Sequence, residues 1–529
     1  MYILGGLEDQ ISLLAWGMVS DGIFSIDNSL SNFFIYQWAF RDFINPLGSN
    51  QPIIWLFLSI VLTLFGSGFY NVFLVLTTVA NFLGSQLLFK KYKYGLFYSF
   101  IFSFSSFFWI HFGVHPDLMQ IWTMPVFLHY FLNFTQAGNY TVNNILKLAA
   151  VLTVTILISN YLGFILLLFV FSYCFVKLCV DYIFKKLVDF GFYIGVLKSV
   201  LIAAAISLIF LLQFINATYF TSSVSSTKNV QRTYEDFFTF SSRPWYFFTP
   251  PVKNPILGKL SASFIQKLEK SNYFLTDDYF AREHSANYFG LSLLVIFFIA
   301  EILVLIKNKD NKEFLRNHFL DIGVIMLIIS FTMPPFFTVS GITFYTPGWL
   351  IYKIFPVFRV TARFSIIVHL LLLLLLAKNV EYLNAFYIKT KRLIVTFIPM
   401  LAFLTIFETF VPIRVAKIDQ PPEVYTYLSQ LPSGTANFAV YPYNRTDDAF
   451  FWLPIHKQLL VNPRDYKVNF NSELFTDSLI TYEGIAEYKK MGGGYIVVFK
   501  NSHMQNEFTN LGNVGLIFEF DDSYLYKTL

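Results

Sequence analysis

The feature that most limits how this sequence can fold is a succession of apolar stretches, each near the length a helix needs to cross a bilayer. A crossing takes about 20 predominantly apolar residues at a rise of 1.5 Å each. Ten segments approach that measure: 71–89, 94–112, 118–134, 145–160, 161–180, 196–216, 288–306, 319–338, 364–378 and 393–411. In hydrocarbon every backbone N–H and C=O must be satisfied within the segment, which makes these stretches helical. Only 13% of the 529 residues are charged, about half the share in soluble domains. The expected fold class is an all-α polytopic membrane protein with a small C-terminal α/β domain.

Charge placement orients the bundle. Short cytoplasmic loops collect Lys and Arg. Here Lys90, Lys91 and Lys93 follow one crossing, Lys307, Lys309, Lys312 and Arg316 another, and Lys378, Lys389, Lys391 and Arg392 a third. With ten crossings these connections share one side, the cytoplasm. The long loops 217–287 and 339–363 then face outward, as does everything after residue 412. Residues 1–51 form a first outer loop region, with Glu8, Asp9, Asp21, Asp27 and Asp42 against Arg41 alone. The apolar run 52–68 would carry that acidic stretch inward if it crossed, so it reads as re-entrant or interfacial. An outward N-terminal stretch with no crossing before it points to a further helix upstream. The polytopic domain therefore spans 52–411 and the soluble extracytoplasmic domain 412–529. In the latter, Pro421-Pro422-Glu423 opens a short helix. Strands are expected at 436–441, 495–500 and 516–520, the last in a hairpin with 523–529.

Four groups of polar residues stand out. Lys353, Arg359 and Arg363 lie in an outer loop that holds no Asp or Glu. Arg359 and Arg363, four apart, are expected to share a helical face. Such cations fit a phosphate, Arg through its planar donor fork and Lys as a point charge, although snorkelling to headgroups gives the same pattern. His111 and His115 are one helical turn apart at the outer end of a crossing, and Asp117 follows Pro116. Ionisable groups this near hydrocarbon are functional candidates, but spacing fixes no third metal ligand. Glu8 and Asp9 are candidate general bases in the first outer loop. Glu283 and His284, just before the crossing at 288, are candidates for the same cleft.

Other classes are excluded by what the sequence lacks. There is no phosphate-binding Gly-x-x-x-x-Gly-Lys-Ser/Thr loop, no Gly-x-Ser-x-Gly nucleophile elbow and no His-Glu-x-x-His zinc motif. The net charge of +5 forms no basic block, so nucleic acid is not an expected partner. Cys174 and Cys179 sit in one apolar run and imply neither disulfide nor zinc.

The order of these features resembles the GT-C superfamily of membrane glycosyltransferases, in particular its bacterial YfhO-like branch with a soluble C-terminal domain. The resemblance is carried by Gly5-Gly6-Leu7-Glu8-Asp9 with Trp16, by Asn45-Pro46-Leu47-Gly48, and by His115-Pro116-Asp117-Leu118 leading to Pro125. It continues through Phe355-Pro356-Val357-Phe358-Arg359-Val360-Thr361-Ala362-Arg363-Phe364, Pro422-Glu423-Val424-Tyr425 and Gly494-Tyr495-Ile496-Val497-Val498. These short motifs run in order over nearly the whole chain.

The resemblance implies a sugar donor linked to polyprenyl phosphate, a glycan or protein acceptor, and a site on the outer face of the membrane. It gives Asp9, with Glu8 beside it, the role of assisting the acceptor. It gives His115 and Asp117 that of a second polar motif. Arg359 and Arg363, with Lys353, would hold the lipid phosphate. It requires no cofactor and leaves a divalent metal open, because the sequence has His-Pro-Asp where a paired-carboxylate motif is expected. Direct attack by the acceptor would invert the anomeric centre. Two other classes remain compatible with an anionic lipid-linked ligand: a flippase or transporter of lipid-linked glycans, and a non-catalytic surface-polymer assembly factor.

Overall fold

The computed structural model describes residues 2–4, 51–65, 68–136, 138–215, 234–269, 283–339, 342–386, 399–400, 403–417, 420–432, 435–462, 472–500, 508 and 511–529. Glu8 and Asp9 lie outside the described residues, as does much of the crossing expected at 393–411.

Among the described residues, six helices are long and apolar enough to span a membrane: Phe69–Phe89, Asn160–Ile183, Phe190–Leu211, His284–Asn308, Lys312–Thr332 and Thr361–Leu383. The last is the axis of the bundle, with 83% of its apolar window buried against 28% to 50% in the other five. Its sequence explains this. The run Leu370–Leu376 has no polar face, and a helix that is apolar all round is stable only when surrounded. The outer helices keep large apolar side chains such as Leu197, Leu201 and Ile302 on the surface, as a lipid-facing wall requires. The chain is a multi-pass membrane protein.

Several expected crossings take a different form. The segment 94–112 is two helices, Gly95–Ser103 and Ser106–His111, broken at Phe104 and Ser105. The Ser105 hydroxyl starts the second helix by accepting from the Phe108 N–H. The segment 118–134 becomes helical only at Thr123, so His115-Pro116-Asp117 lies in a structured turn rather than at a helix end. The crossing placed at 319–338 runs instead from Lys312 to Thr332 and gives way to an antiparallel hairpin, β2 (Phe336–Val339) with β3 (Ile342–Tyr345). Pro52–Phe65 is a helix of 14 residues, about 21 Å long and short of the ~30 Å core.

The boundary between the crossings at 145–160 and 161–180 falls on one residue. Helix Val142–Ile158 ends, Ser159 takes an extended conformation, and helix Asn160–Ile183 begins with the Ser159 hydroxyl as its cap. Two antiparallel helices joined at a single residue fix everything around Ser159 closely.

Near the C-terminus, β4 (Val415–Lys417) pairs with β1 (Tyr2–Leu4). Beyond it stands a five-stranded sheet formed by β5 (Asn437–Tyr441), β6 (Leu459–Leu460), β7 (Tyr495–Phe499), β8 (Val514–Glu519) and β9 (Ser523–Thr528), in the order β6-β5-β7-β9-β8. β5 is parallel to β6 and β7, while β9 runs antiparallel to β7 and β8. Alternation along the strands separates two cores. Phe438, Val440, Val497 and Leu525 pack on one face, and Ala439, Tyr441, Ile496 and Val498 on the other. The expected tail helix is Glu423–Leu428. Met491-Gly492-Gly493-Gly494 ends helix Tyr482–Lys490, with Gly492 at φ +82° where an L side chain would be strained.

Candidate active site at the arginine end of the bundle

The site is built on polar residues that share one face of helix Phe69–Phe89. The Tyr70 hydroxyl donates to the Gly113 carbonyl at 3.0 Å, and Thr77 accepts from the Gln120 amide at 3.0 Å. Asn81 donates to the Met119 carbonyl at 3.0 Å and accepts from the Trp122 N–H at 2.9 Å. Together they clamp residues 113–122, the turn that carries His115 and Asp117. Gly84 lets Trp122 approach, since a Cβ there would lie 2.8 Å from the Trp122 carbonyl oxygen.

A second support is aromatic. Tyr161 and Phe164, one turn apart on helix Asn160–Ile183, receive the 355–364 stretch. Phe358 stacks on Phe164 at 4.0 Å and meets Tyr161 edge-on at 5.2 Å, while Phe355 and Phe364 close on Phe164 at 5.2 and 5.7 Å. The Phe residues spaced between the basic residues are thus what hold those residues in place.

Between these supports lies the polar centre. Glu283, 2% exposed, accepts from the Arg363 guanidinium at 2.5 and 3.2 Å in a two-point contact. Its other neighbour is His111 Nε2 at 3.4 Å, and His111 Nδ1 donates to the Phe107 carbonyl at 2.7 Å. That bond fixes the ring, so a proton on Nε2 would point at Glu283. The Glu283 backbone is held by Asn287, whose amide donates to the Glu283 and His284 carbonyls and whose oxygen accepts from Ser242. Arg363 also lies over the Tyr161 ring at 4.8 Å. Asp117, 6% exposed, accepts from the Ser159 hydroxyl at 2.8 Å. The ring of His115 is 5.6 Å from that of His111.

The two buried carboxyls, both in connections outside the spanning helices, are driven in opposite directions. Burial raises the pKa of Glu283, but the adjacent Arg363 and His111 overcome it and hold the carboxyl well below its usual range. For Asp117 burial prevails over the Ser159 hydrogen bond and the charge of Arg363, and its pKa is raised. Glu283 is therefore a fixed anion, while Asp117 is a carboxyl that accepts a proton readily.

This geometry corrects two expectations for the basic loop. Arg359 and Arg363 share no helical face, because only Thr361–Phe364 forms a turn of 3₁₀-helix and Arg359, whose carbonyl accepts from the Thr361 N–H at 3.1 Å, precedes it in irregular chain. The spacing rule fails there because the chain turns at 355–358 and again at 359–361, with Phe355 and Phe358 packed on Phe164. Nor is Arg363 without a counter-charge. Its partner Glu283 comes from 80 residues earlier, where no local reading of the loop finds it. Arg359 lies over the Phe240 ring at 4.7 Å. Lys353, exposed near the end of helix Gly348–Ile354, lies over Tyr352 at 5.3 Å and Trp349 at 5.8 Å.

His284 is buried and stacks on Tyr246 at 4.3 Å, behind Glu283. His369, within the axial helix, packs against Phe102 and Phe289. Sequence reasoning passed over Ser159, Tyr161 and Arg243. Arg243 is buried, with its guanidinium donating to the Phe238, Ser241 and Ser242 carbonyls. A lone Ser between two apolar runs was the one available sign of Ser159. Among the described residues no cluster of three or more His, Cys, Asp or Glu is placed to hold a metal ion.

Residues 52–404 match the family described as "Domain of unknown function (DUF6311)". The chain belongs to this family. The DUF6311 region takes in the whole polar centre, from His111 to Arg363, and ends before the C-terminal sheet. Among curated proteins none matches the chain. Two solved structures align along nearly the whole length: ArnT from Cupriavidus metallidurans bound to undecaprenyl phosphate, and the same protein in the apo state. The first gives a TM-score of 0.41 at 11% identity, over 98% of this chain and 97% of that one. The second gives 0.39 at 10% identity, over 98% and 96%.

Proposed function

We propose that this DUF6311 protein is a membrane glycosyltransferase of the GT-C type, moving a sugar from a polyprenyl-phosphate donor to a glycan or protein acceptor on the extracytoplasmic face. The observation that carries the reading is the pair of buried carboxyls with opposed proton affinities, Glu283 and Asp117, gathered with arginines at one end of a lipid-facing bundle. Glu283, a fixed anion, suits holding Arg363 in place, and Asp117, whose pKa is raised, suits accepting a proton.

In the reaction, the bond from the anomeric carbon to the lipid phosphate oxygen breaks as the acceptor oxygen bonds to that carbon. The electron pair of the broken bond stays on the phosphate, and the acceptor's proton passes to a carboxylate. Arg359 and Lys353 are assigned to the phosphate. The Arg359 guanidinium lies over the Phe240 ring at 4.7 Å, and a guanidinium engages phosphate through the donors in its own plane. A preorganised cation in a site of low dielectric stabilises charge as it develops. Arg363 is assigned a positioning role through Glu283. Asp9 remains the base that the family resemblance suggests, with Glu8 beside it. Asp117, which feels the charge of Arg363, and His115 beside it are the alternative proton acceptors. No step is assigned to a cofactor, and a divalent metal would be revealed by loss of activity on chelation.

The test is transfer of labelled sugar in proteoliposomes supplied with undecaprenyl-phosphate-linked donor, the lipid to which ArnT was bound. Wild-type protein consumes the donor, while Arg359→Ala and Asp9→Asn each reduce the rate. Equal rates in both variants would remove the assignment. Donor that crosses the bilayer intact would make the protein a flippase.

A further inference from the structure

The opposite end of the bundle contains a second polar site that the transferase reading does not use. Arg363 lies at the start of the axial helix and Lys378 15 residues further along it, roughly 22 Å at the helical rise. Beside Lys378 opens a cavity of about 620 Å³ between helices Asn160–Ile183, Lys312–Thr332 and Ser365–Phe386. That volume lies within the range of small-molecule sites.

Four cations line it: Lys177, Lys186, Arg316 and Lys378. Three carboxylates also reach it, and each is already engaged. Asp181 holds Lys177 at 2.6 Å, Asp321 holds Lys378 at 2.6 Å, and Asp189 accepts from the Tyr140 hydroxyl at 2.5 Å. Among the described residues Lys186 and Arg316 have no carboxylate partner, and the wall keeps an excess of positive charge. The cavity is also amphipathic. It shares Leu132, Tyr173, Asp321, Leu375 and Lys378 with a narrow crevice whose other walls are Leu128, Phe169, Val324, Ile325, Leu371 and Leu374. Val324 and Ile325 lie one turn deeper than Asp321, and Leu371 two turns deeper than Lys378. The space is therefore polar at the mouth and apolar toward the middle of the membrane. Leu187, 91% exposed, sits at the mouth.

We infer that this vestibule binds an anionic glycerophospholipid of the cytoplasmic leaflet, with the phosphodiester at Lys186 and Arg316 and the acyl chains running out past Leu187 into the bilayer. The positive-inside pattern assigns this Lys-rich end to the cytoplasm, where basic pockets between helices meet anionic headgroups. A soluble phosphate ester shares the headgroup chemistry but brings no acyl chain to the exposed Leu187 at the mouth. The inference is independent of the chemistry at the other end.

Binding is measured on the full chain by native mass spectrometry and by thermal unfolding, with phosphatidylglycerol, phosphatidylcholine, glycerol 3-phosphate and inorganic phosphate added in turn. Phosphatidylglycerol is expected to bind and raise the Tm, and the other three to do neither. The double variant Lys186→Gln/Arg316→Gln lowers phosphatidylglycerol affinity by roughly thirtyfold. Leu187→Glu, an exposed change with no packing to disturb, lowers it through charge repulsion at the mouth. Unchanged affinity in both variants overturns the inference, as does equal binding of phosphatidylcholine. Equal stabilisation by inorganic phosphate or glycerol 3-phosphate would make the vestibule a soluble-anion site instead.

Discussion

The two ends of the axial helix handle charge in opposite ways. At the arginine end, Glu283 is 2% and its partner Arg363 11% exposed, and the ion pair is enclosed by His111, Tyr161 and a layer of Phe residues. At the lysine end, Lys378 and Asp321 are 29% and 25% exposed and border an open cavity. Similar ion-pair distances, 2.5 and 2.6 Å, thus conceal unequal energetics. A desolvated pair is rigid and cannot lose one partner without leaving a buried charge. A solvated pair is screened and its members exchange with water or ligand. The first arrangement suits a site that must hold donors in place before a reaction. The second suits a site that accepts a ligand from the membrane surface.

The largest expected effect breaks this comparison directly. Glu283→Ala leaves the Arg363 guanidinium buried without its anion and is expected to destabilise the protein by about 3–5 kcal/mol. Lys378→Ala at the other end costs at most about 1 kcal/mol. Unfolding of the two variants in the same detergent measures the contrast, and equal losses would show that the ends do not differ.

The second effect is on pH. Because the folded pKa of Glu283 is depressed, its stabilisation is present above the ordinary carboxylate range and is lost as pH falls through the folded value. Asp117 has the opposite sign. Its raised pKa means that the fold favours the protonated form, so stability declines as pH rises from the ordinary Asp range through the folded value. Stability against pH should therefore lose its acid arm in Glu283→Gln and its decline with rising pH in Asp117→Asn. Matching curves for the two variants would refute the opposed assignment.

The smallest effect is at Ser159. Ser159→Ala removes a helix cap and the hydrogen bond to Asp117 together, and is expected to cost about 1 kcal/mol while raising the Asp117 pKa further. A stability loss with no change in the pH dependence would confine Ser159 to capping.

How much of this could be read in the sequence follows from the range of the interactions. The spanning helices were legible because each is announced by its own apolar residues, and the joint between helices Val142–Ile158 and Asn160–Ile183 was placed to within a residue or two. The break at Phe104 and Ser105 was not, because the flanking residues are as apolar as those inside a helix. In the C-terminal sheet, alternation and turn residues marked β5, β7, β8 and β9, whereas β6, with two residues, carries no periodicity. At the site, His115, Asp117, Arg359 and Arg363 could be named from residue type and loop charge. The Glu283–Arg363 pair could not, since it joins positions 80 apart in the chain. Ser159 and Tyr161 were missed for the related reason that each looks like ordinary helix until the chain folds over it.

The most direct test of the account is single-turnover sugar transfer from undecaprenyl-phosphate-linked donor by wild-type protein, Arg359→Ala and Lys186→Gln in proteoliposomes. If the arginine end holds the leaving phosphate, Arg359→Ala slows transfer by roughly 10²-fold or more, the effect of losing one preorganised charge-stabilising group, while Lys186→Gln leaves the rate near wild type. Transfer undiminished in Arg359→Ala would contradict the account.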